Sequence, residues 1–250
     1  MGRSAWDLAH EAAAAAGVTL APADSREAGL ELLDVVRATW GPNDLMPPEM
    51  VIALGESGNV PFGAYDDDGM VGFVLGWAGI DPVDGVHAHS HMLAALPERR
   101  HKGVGYALKL AQRAQCLDQG IHLVRWTFDP MLARNAWLNL GKLGATADRF
   151  RRNYYGTMLD DLNAGERSDR VMVRWELDRE PGPRVPPPGA IALAIPREYT
   201  QLRAAEPAQA SAERDRVAAT IEARFDEGLV LAAFDGATAT YAFAEPGALP

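Results

Sequence analysis

Residues 96–105 read LPERRHKGVG, from Leu96 to Gly105. Arg100, Gly103 and Gly105 form an Arg-x-x-Gly-x-Gly run. It lies between a strand-like segment, His87 to Leu96, and a helix-like one, Val104 to Gln119. A glycine-rich turn that opens a helix makes an anion site. The first N–H groups have no carbonyl partner within the helix, and the helix dipole favours negative charge there. Glycine also lets the main chain approach a pyrophosphate closely. Two familiar phosphate loops lack a necessary part here. A Walker A loop ends in Gly-Lys-Ser/Thr, but Gly105 is followed by Tyr106. A Rossmann fingerprint needs a third glycine where this chain has Leu108.

On the N-terminal side of this run, the pattern predicts helices at Ser4 to Ala16, with Ser4 as N-cap, and at Arg26 to Trp40, with Leu30, Leu33, Val36 and Arg37 at helical spacing. A short strand at Val18 to Pro22 separates them. Gly41-Pro42-Asn43-Asp44 is a turn, and Glu49 to Gly55 a short helix. Strands follow at Val60 to Tyr65 and Met70 to Ala78, around Asp68-Gly69. On the C-terminal side come a strand (His122 to Phe128), a helix (Leu132 to Leu143) closed by Gly144, and strands at Ala145 to Tyr154 and Val171 to Leu177. The prolines at 181, 183, 186, 187 and 188 mark a stiff linker. Beyond it lie a strand (Ala190 to Ile195), a helix (Glu213 to Glu227) and a hairpin, Leu229 to Phe234 with Ala237 to Phe243. The expected architecture is α/β (α+β): a mixed, mostly antiparallel sheet flanked by helices, with a small C-terminal α/β appendage. Residues 1–180 form the main domain, 181–189 the linker, and 190–250 an extension packed on that domain.

A chain of 250 residues can bury a full core. Its net charge of −10 argues against nonspecific nucleic-acid binding, which needs clustered Lys and Arg. No segment has the length and apolarity of a membrane span or signal core. Cys116 is the only cysteine, which fits a reducing cytoplasm.

Pro97, Arg100, Gly103 and Gly105, after an apolar strand and before a helix, resemble motif A of the GNAT superfamily of acyl-CoA N-acyltransferases. That motif is written Pro-x-x-Arg/Gln-x-x-Gly-x-Gly/Ala. A further strand, Val124 to Phe128, leads to a helix ending Gly141-Lys142-Leu143-Gly144-Ala145, similar to the family's Lys-Leu-Gly-Phe ending. The resemblance covers roughly residues 25 to 178 by element order. It implies a GNAT-like fold and an acyl-CoA co-substrate, carrying acetyl or succinyl. The pyrophosphate would rest on Arg100, His101, Lys102, Gly103, Val104, Gly105 and Tyr106, and the pantetheine arm along Ala95 and Leu96, with Asn135 as a further contact.

Direct transfer to an amine requires a base for the ammonium proton, donors for the oxyanion and an acid for the departing thiolate. His89 and His91 are two apart on one strand and share a face, which His87 continues. They are the candidate bases. Alternating histidines also suit zinc, but no Cys or His cluster supports a metal. The resemblance places the oxyanion donor on the main chain at Leu93 or Ala94. Its usual acid, a helix tyrosine four residues before the closing glycine, is Leu140 here, so Tyr154, Tyr155 and Tyr106 are the substitutes. Asp129 suits a substrate ammonium or an Asp-Pro turn. Arg125, Arg134, Arg151 and Arg152 are candidate partners for a succinyl carboxylate. The expected acceptor is a primary amine of a small molecule such as an amino acid, and a homodimer is compatible with the chain. Two alternatives remain open: a noncatalytic acyl-CoA sensor, and an acetyltransferase of protein lysines or N-termini.

Overall fold

The computed structural model describes residues 2–42, 46–100, 102–156 and 166–248. Among the expectations above, His101, Asn43 and Asp44 lie outside these residues. The chain divides into two compact units. One holds residues 2–124, and the other residues 125–156 and 166–248.

In the first unit, α1 (Ala5–Ala16) starts at Ser4, whose Oγ accepts from the Asp7 N–H while Asp7 Oδ2 accepts from the Ser4 N–H. This reciprocal box satisfies two orphan donors. Gly17, left-handed at φ 67°, closes the helix. After β1 (Thr19–Pro22) comes α2 (Arg26–Trp40), again capped by a serine, Ser25. Its core stripe is Leu32, Leu33, Val35 and Val36, while Leu30 is exposed. The expected stripe was therefore rotated, because Gly29 rather than Leu30 faces α3 (Pro48–Glu56), against Val51.

Strands β2 (Phe62–Asp66), β3 (Gly69–Asp81) and β4 (Gly85–Ala95) complete an antiparallel sheet in the order β1-β2-β3-β4. β3 runs three residues past the expected Ala78. The Asp81 carboxylate accepts from the Val83 and Asp84 N–H groups and builds the turn only there. The register of β3 on β4 shifts between Leu75 and Gly76: Leu75 pairs with Met92 but Gly76 pairs with Ser90. His91 is the extra residue of this β-bulge. Phe73, Leu75 and Ala94 on one sheet face join the α2 side chains in the core. The opposite face carries α4 (Val104–Asp118), whose residues 107–114 are all buried. The unit boundary falls within β5 (Leu123–Phe128).

In the second unit, β6 (Thr146–Arg151), β7 (Arg170–Glu176), β8 (Ile191–Ala194), β9 (Val230–Asp235) and β10 (Thr240–Ala244) lie in the order β7-β6-β9-β10-β8, each pair antiparallel, with β5 beside β7. The expected helix at Leu132 to Leu143 is one turn of α5 (Ala133–Ala136), followed by a π-helical stretch, Trp137–Lys142. Gly141 permits this widening, since a Cβ there would fall 2.1 Å from the Trp137 ring. Two helices, α6 (Tyr199–Ala205) and α7 (Pro207–Asp226), replace the single helix expected at 213–227. Proline at the first position of α7 starts it early, where its missing N–H has no cost. Pro181 to Pro188 hold neither helix nor strand. This stretch crosses close over Gly144, where a Cβ would lie 2.2 Å from the Gly182 carbonyl, and Arg184 Nε donates to the Gly144 carbonyl at 2.6 Å.

Candidate active site

Both sheet faces of the first unit meet at the β4 bulge. His89 and His91 project on the face of Trp77, and the three rings pack together with centroids 4.9 to 5.9 Å apart. Burial pulls the His89 imidazole down to about 4, and the neighbouring His91, His87 and Lys109 push the same way. His91 is open to solvent on one side, yet desolvation against its neighbours holds it below the usual 6.5. Both rings are neutral at pH 7 and have a lone pair to offer. His87 stands apart from this chemistry. It is buried against Gly79, bonds the Gly85 carbonyl through Nδ1 at 3.1 Å, and lies 3.6 Å from Asp81.

The Leu96 N–H donates to the Val71 carbonyl at 2.9 Å. That bond fixes the phase of the antiparallel ladder, in which hydrogen-bonded pairs alternate. Ala94 is thus turned toward Phe73, while the N–H groups of Leu93 and Ala95 point away from β3. Arg99 ion-pairs with Asp66, and a short 3₁₀ turn, Pro97–Arg99, leads to Arg100 and the glycines. Gly103 takes the N-cap place of α4 at φ 93°, a left-handed conformation suited to glycine. Among the described residues no side chain caps this helix at Gly103, and the first N–H groups of α4, from Val104 on, have no carbonyl partner within the helix. Val104 seats the helix start directly on the sheet, its Cγ1 3.0 Å from where a Cβ on Gly72 would stand, and Gly72 pairs with Ala95. The bulge, the strand amides turned away from β3 and the helix start therefore belong to one packed piece.

Other expected residues lie in the second unit. Tyr154 and Tyr155 were expected on a strand, but they follow β6 in a turn, because pairing with β7 ends at Arg151↔Arg170. Both are half exposed. The Tyr155 hydroxyl is 3.1 Å from Thr127 Oγ1, and its ring lies under Arg170. Asn135 sits in α5, and Leu140 is fully buried. Asp129 makes its turn, accepting from the Met131 N–H, and also pairs with Arg214 at 2.8 Å. Arg214 holds Glu166 at 2.5 Å as well, and Tyr199 donates to Glu166. Arg125 is engaged by Asp148, and Arg152 by Glu222.

Sequence reasoning passed over Trp77 and Lys109. Trp77 had a usable signal: it is directly opposite His89 in register. Lys109 lies between Leu108 and Leu110 in a helix buried almost all round, so its ammonium has to be indoors.

The mixed architecture, a mostly antiparallel sheet flanked by helices, matches the GNAT fold. The profile of the acetyltransferase (GNAT) family matches residues 30–140, and this part of the chain belongs to that family. No curated protein sequence matches the chain. Among solved structures, the ribosomal-protein-S18-alanine N-acetyltransferase of Escherichia coli is similar at 16% identity, over 64% of this chain and 94% of its own, with a TM-score of 0.50. Naa20 of Chaetomium thermophilum, in complex with a bisubstrate analogue, is similar at 18% identity over 65% and 88%, also with a TM-score of 0.50.

Proposed function

We propose that this chain is an acyl-CoA-dependent N-acyltransferase that moves an acetyl or succinyl group to a primary amine of a small molecule, by direct attack on the thioester. One observation carries this reading. Two neutral histidines, a main-chain N–H turned away from β3 and a glycine helix start are built onto the same β3–β4–α4 piece. The α4 amides, with Arg100 and Lys102, bind the CoA pyrophosphate. Ala95 and Leu96 supply main-chain contacts to the pantetheine.

His91, the more open of the pair, takes the proton from the amine directly or through a water, and His89 keeps it company as a neutral neighbour. The amine nitrogen then attacks the thioester carbon. The Leu93 N–H, free of β3, holds the oxyanion, whereas Ala94 is turned inward and is the weaker choice. Collapse breaks the C–S bond, and the CoA thiolate leaves with a proton from an acid, for which Tyr155 and then Tyr154 stand proposed. Asn135 completes the proposed contacts to the co-substrate. Residues 190–250 remain, on this reading, an extension of the 1–180 domain. A cytoplasmic location goes with it, because acyl-CoA donors and the reduced Cys116 thiol belong there.

The test is release of free CoA thiol when the protein meets acetyl-CoA or succinyl-CoA and pools of amines, followed by mass analysis of the product. An acylated small amine is expected. Binding of CoA with no thiol above background from any donor would overturn catalysis in favour of a sensor, and acylated protein without acylated small amines would overturn the acceptor.

A further inference from the structure

β4 holds a polar position that the proposed chemistry does not use. Ser90 lies between His89 and His91 in sequence but points to the opposite face, beneath α4, and is buried. There Lys109 Nζ donates to Ser90 Oγ at 3.0 Å and to Gln112 Oε1 at 2.7 Å. Lys109 is only 2% exposed, and burial pulls its ammonium down to about 7. A methionine of similar volume would avoid the desolvation that a lysine suffers there. The lysine sits where packing alone does not suffice. A cavity of about 20 Å³ is lined on this side by Gly76, Ala78, Ala88, Gln112 and Cys116. Gly76 pairs with Ser90 at the register shift itself. Polar bonds as well as close contact therefore tie the bulge to α4, where Gln112 Nε2 lies 3.0 Å from the place of a Cβ on Gly76.

We propose that Lys109 is a positioning residue: through Ser90 it anchors the β4 bulge to α4 and so sets the placement of His89 and His91 on the other face. The catalytic meaning rests on the acyltransferase reading, but the anchorage does not. Lys109 faces Cys116 on its own helix and acts electrostatically on His89 through the strand, while His89 is also faced by His91 and His87.

The test uses the full chain, unliganded, with labelled histidine rings followed by NMR through a pH titration, for wild type and the variants Ser90→Ala, Lys109→Met and Lys109→Arg. Both Ser90→Ala and Lys109→Met should move the His89 and His91 ring signals. Only Lys109→Met should also raise the His89 pKa, because only it removes the nearby ammonium. In acyl transfer, each should lower kcat on the order of tenfold with KM for acyl-CoA unchanged, as expected for misplaced groups. Lys109→Arg should recover part of the loss by donating again to Ser90. Histidine signals and kcat that stay at wild-type values in Ser90→Ala would overturn the proposal, and that variant only deletes a hydroxyl should Lys109→Met not fold. If wild type releases no thiol, the acyltransferase reading fails by itself, and the ring signals still decide the anchorage.

Discussion

Replacing Gly76 by alanine sets a methyl group 2.4 Å from the His89 carbonyl oxygen and 3.0 Å from the Ser90 Cα. Both neighbours are backbone, so neither can swing aside as a side-chain end would. Ordinary contact begins at 3.4 Å, which means β4 has to retreat by about 1 Å at His89. The φ of Gly76 lies outside the left-handed region, so the penalty is steric and not conformational. Overpacking of this kind costs about 1–3 kcal/mol, and Tm falls by roughly 2–4 °C for each kcal/mol in a chain of this size. A displacement of about 1 Å in a catalytic group lowers turnover on the order of 100-fold. CoA affinity should be unchanged, since the α4 amides are held by Val104 on Gly72. The assay combines thermal melting, calorimetric CoA titration and thiol release. Gly182→Ala is the control, because a Cβ there meets nothing within 4 Å. A Gly76→Ala protein with wild-type melting and turnover would refute the claim that the bulge places the histidines.

Four further outcomes follow from the same geometry. Arg100→Ala should weaken CoA binding about tenfold in calorimetry, with the loss shrinking at high salt, as for a charge-assisted phosphate contact. Leu140→Tyr should not restore a thiolate acid; Leu140 is fully buried, so the hydroxyl enters the core and melting should drop by the equivalent of about 1–3 kcal/mol with no gain in turnover. Arg214→Ala takes the closest cation from the buried Asp129 and the partly buried Glu166, leaving Arg170 at 3.9 Å and Arg203 at 3.7 Å, and should cost about 3 kcal/mol in denaturant unfolding. For pH, His89 binds its proton less readily folded, at about 4, than unfolded, near 6.5. The unfolded chain therefore holds more protons in between, and the stability tied to a neutral His89 is complete above pH 6.5 and lost as pH falls toward 4. Melting of His89→Gln should thus decline less steeply than wild type across that window.

What the sequence revealed follows the range of the interactions involved. The Ser4 cap of α1, the Gly103 start of α4 and the Asp235 hairpin are local devices, and each is in place because a cap or turn is decided within a few residues. The pair His89 and His91 was legible for the same reason, since strand alternation is local. The bulge was not, because it exists only in the register between β3 and β4, sixteen residues apart at Leu75 and His91. The π-helical turn at Trp137 depends on Gly141 fitting beneath an indole, and helical periodicity alone reads it as an ordinary helix. Asp129 looked like an Asp-Pro turn and is one, but its buried partner, Arg214, lies eighty-five residues away.

The bulge also explains why β4 can serve two faces at once. In a regular strand, His89 and His91 would share one face and Ser90 would bond whatever lay beneath, with every amide's direction fixed by alternation. One extra residue shifts the phase, so that Met92 and Ala94 beyond it return to the α2 side with Leu75 and Phe73. If His91 were instead paired in a regular ladder, Met92 and Ala94 would exchange faces with Leu93 and Ala95, and the amide of Leu93 would be turned into β3. Burial of the apolar pair and exposure of the amide are thus the same constraint. Deleting His91, rather than replacing it, would leave Ser90↔Gly76 and Met92↔Leu75 as consecutive pairs, so the strand beyond keeps its faces and what is lost is the imidazole with the bulge. His91→Ala and the deletion should therefore both keep the wild-type melting temperature within a few degrees and both lose turnover. A much lower melting temperature for the deletion alone would refute His91 as the inserted residue of the bulge.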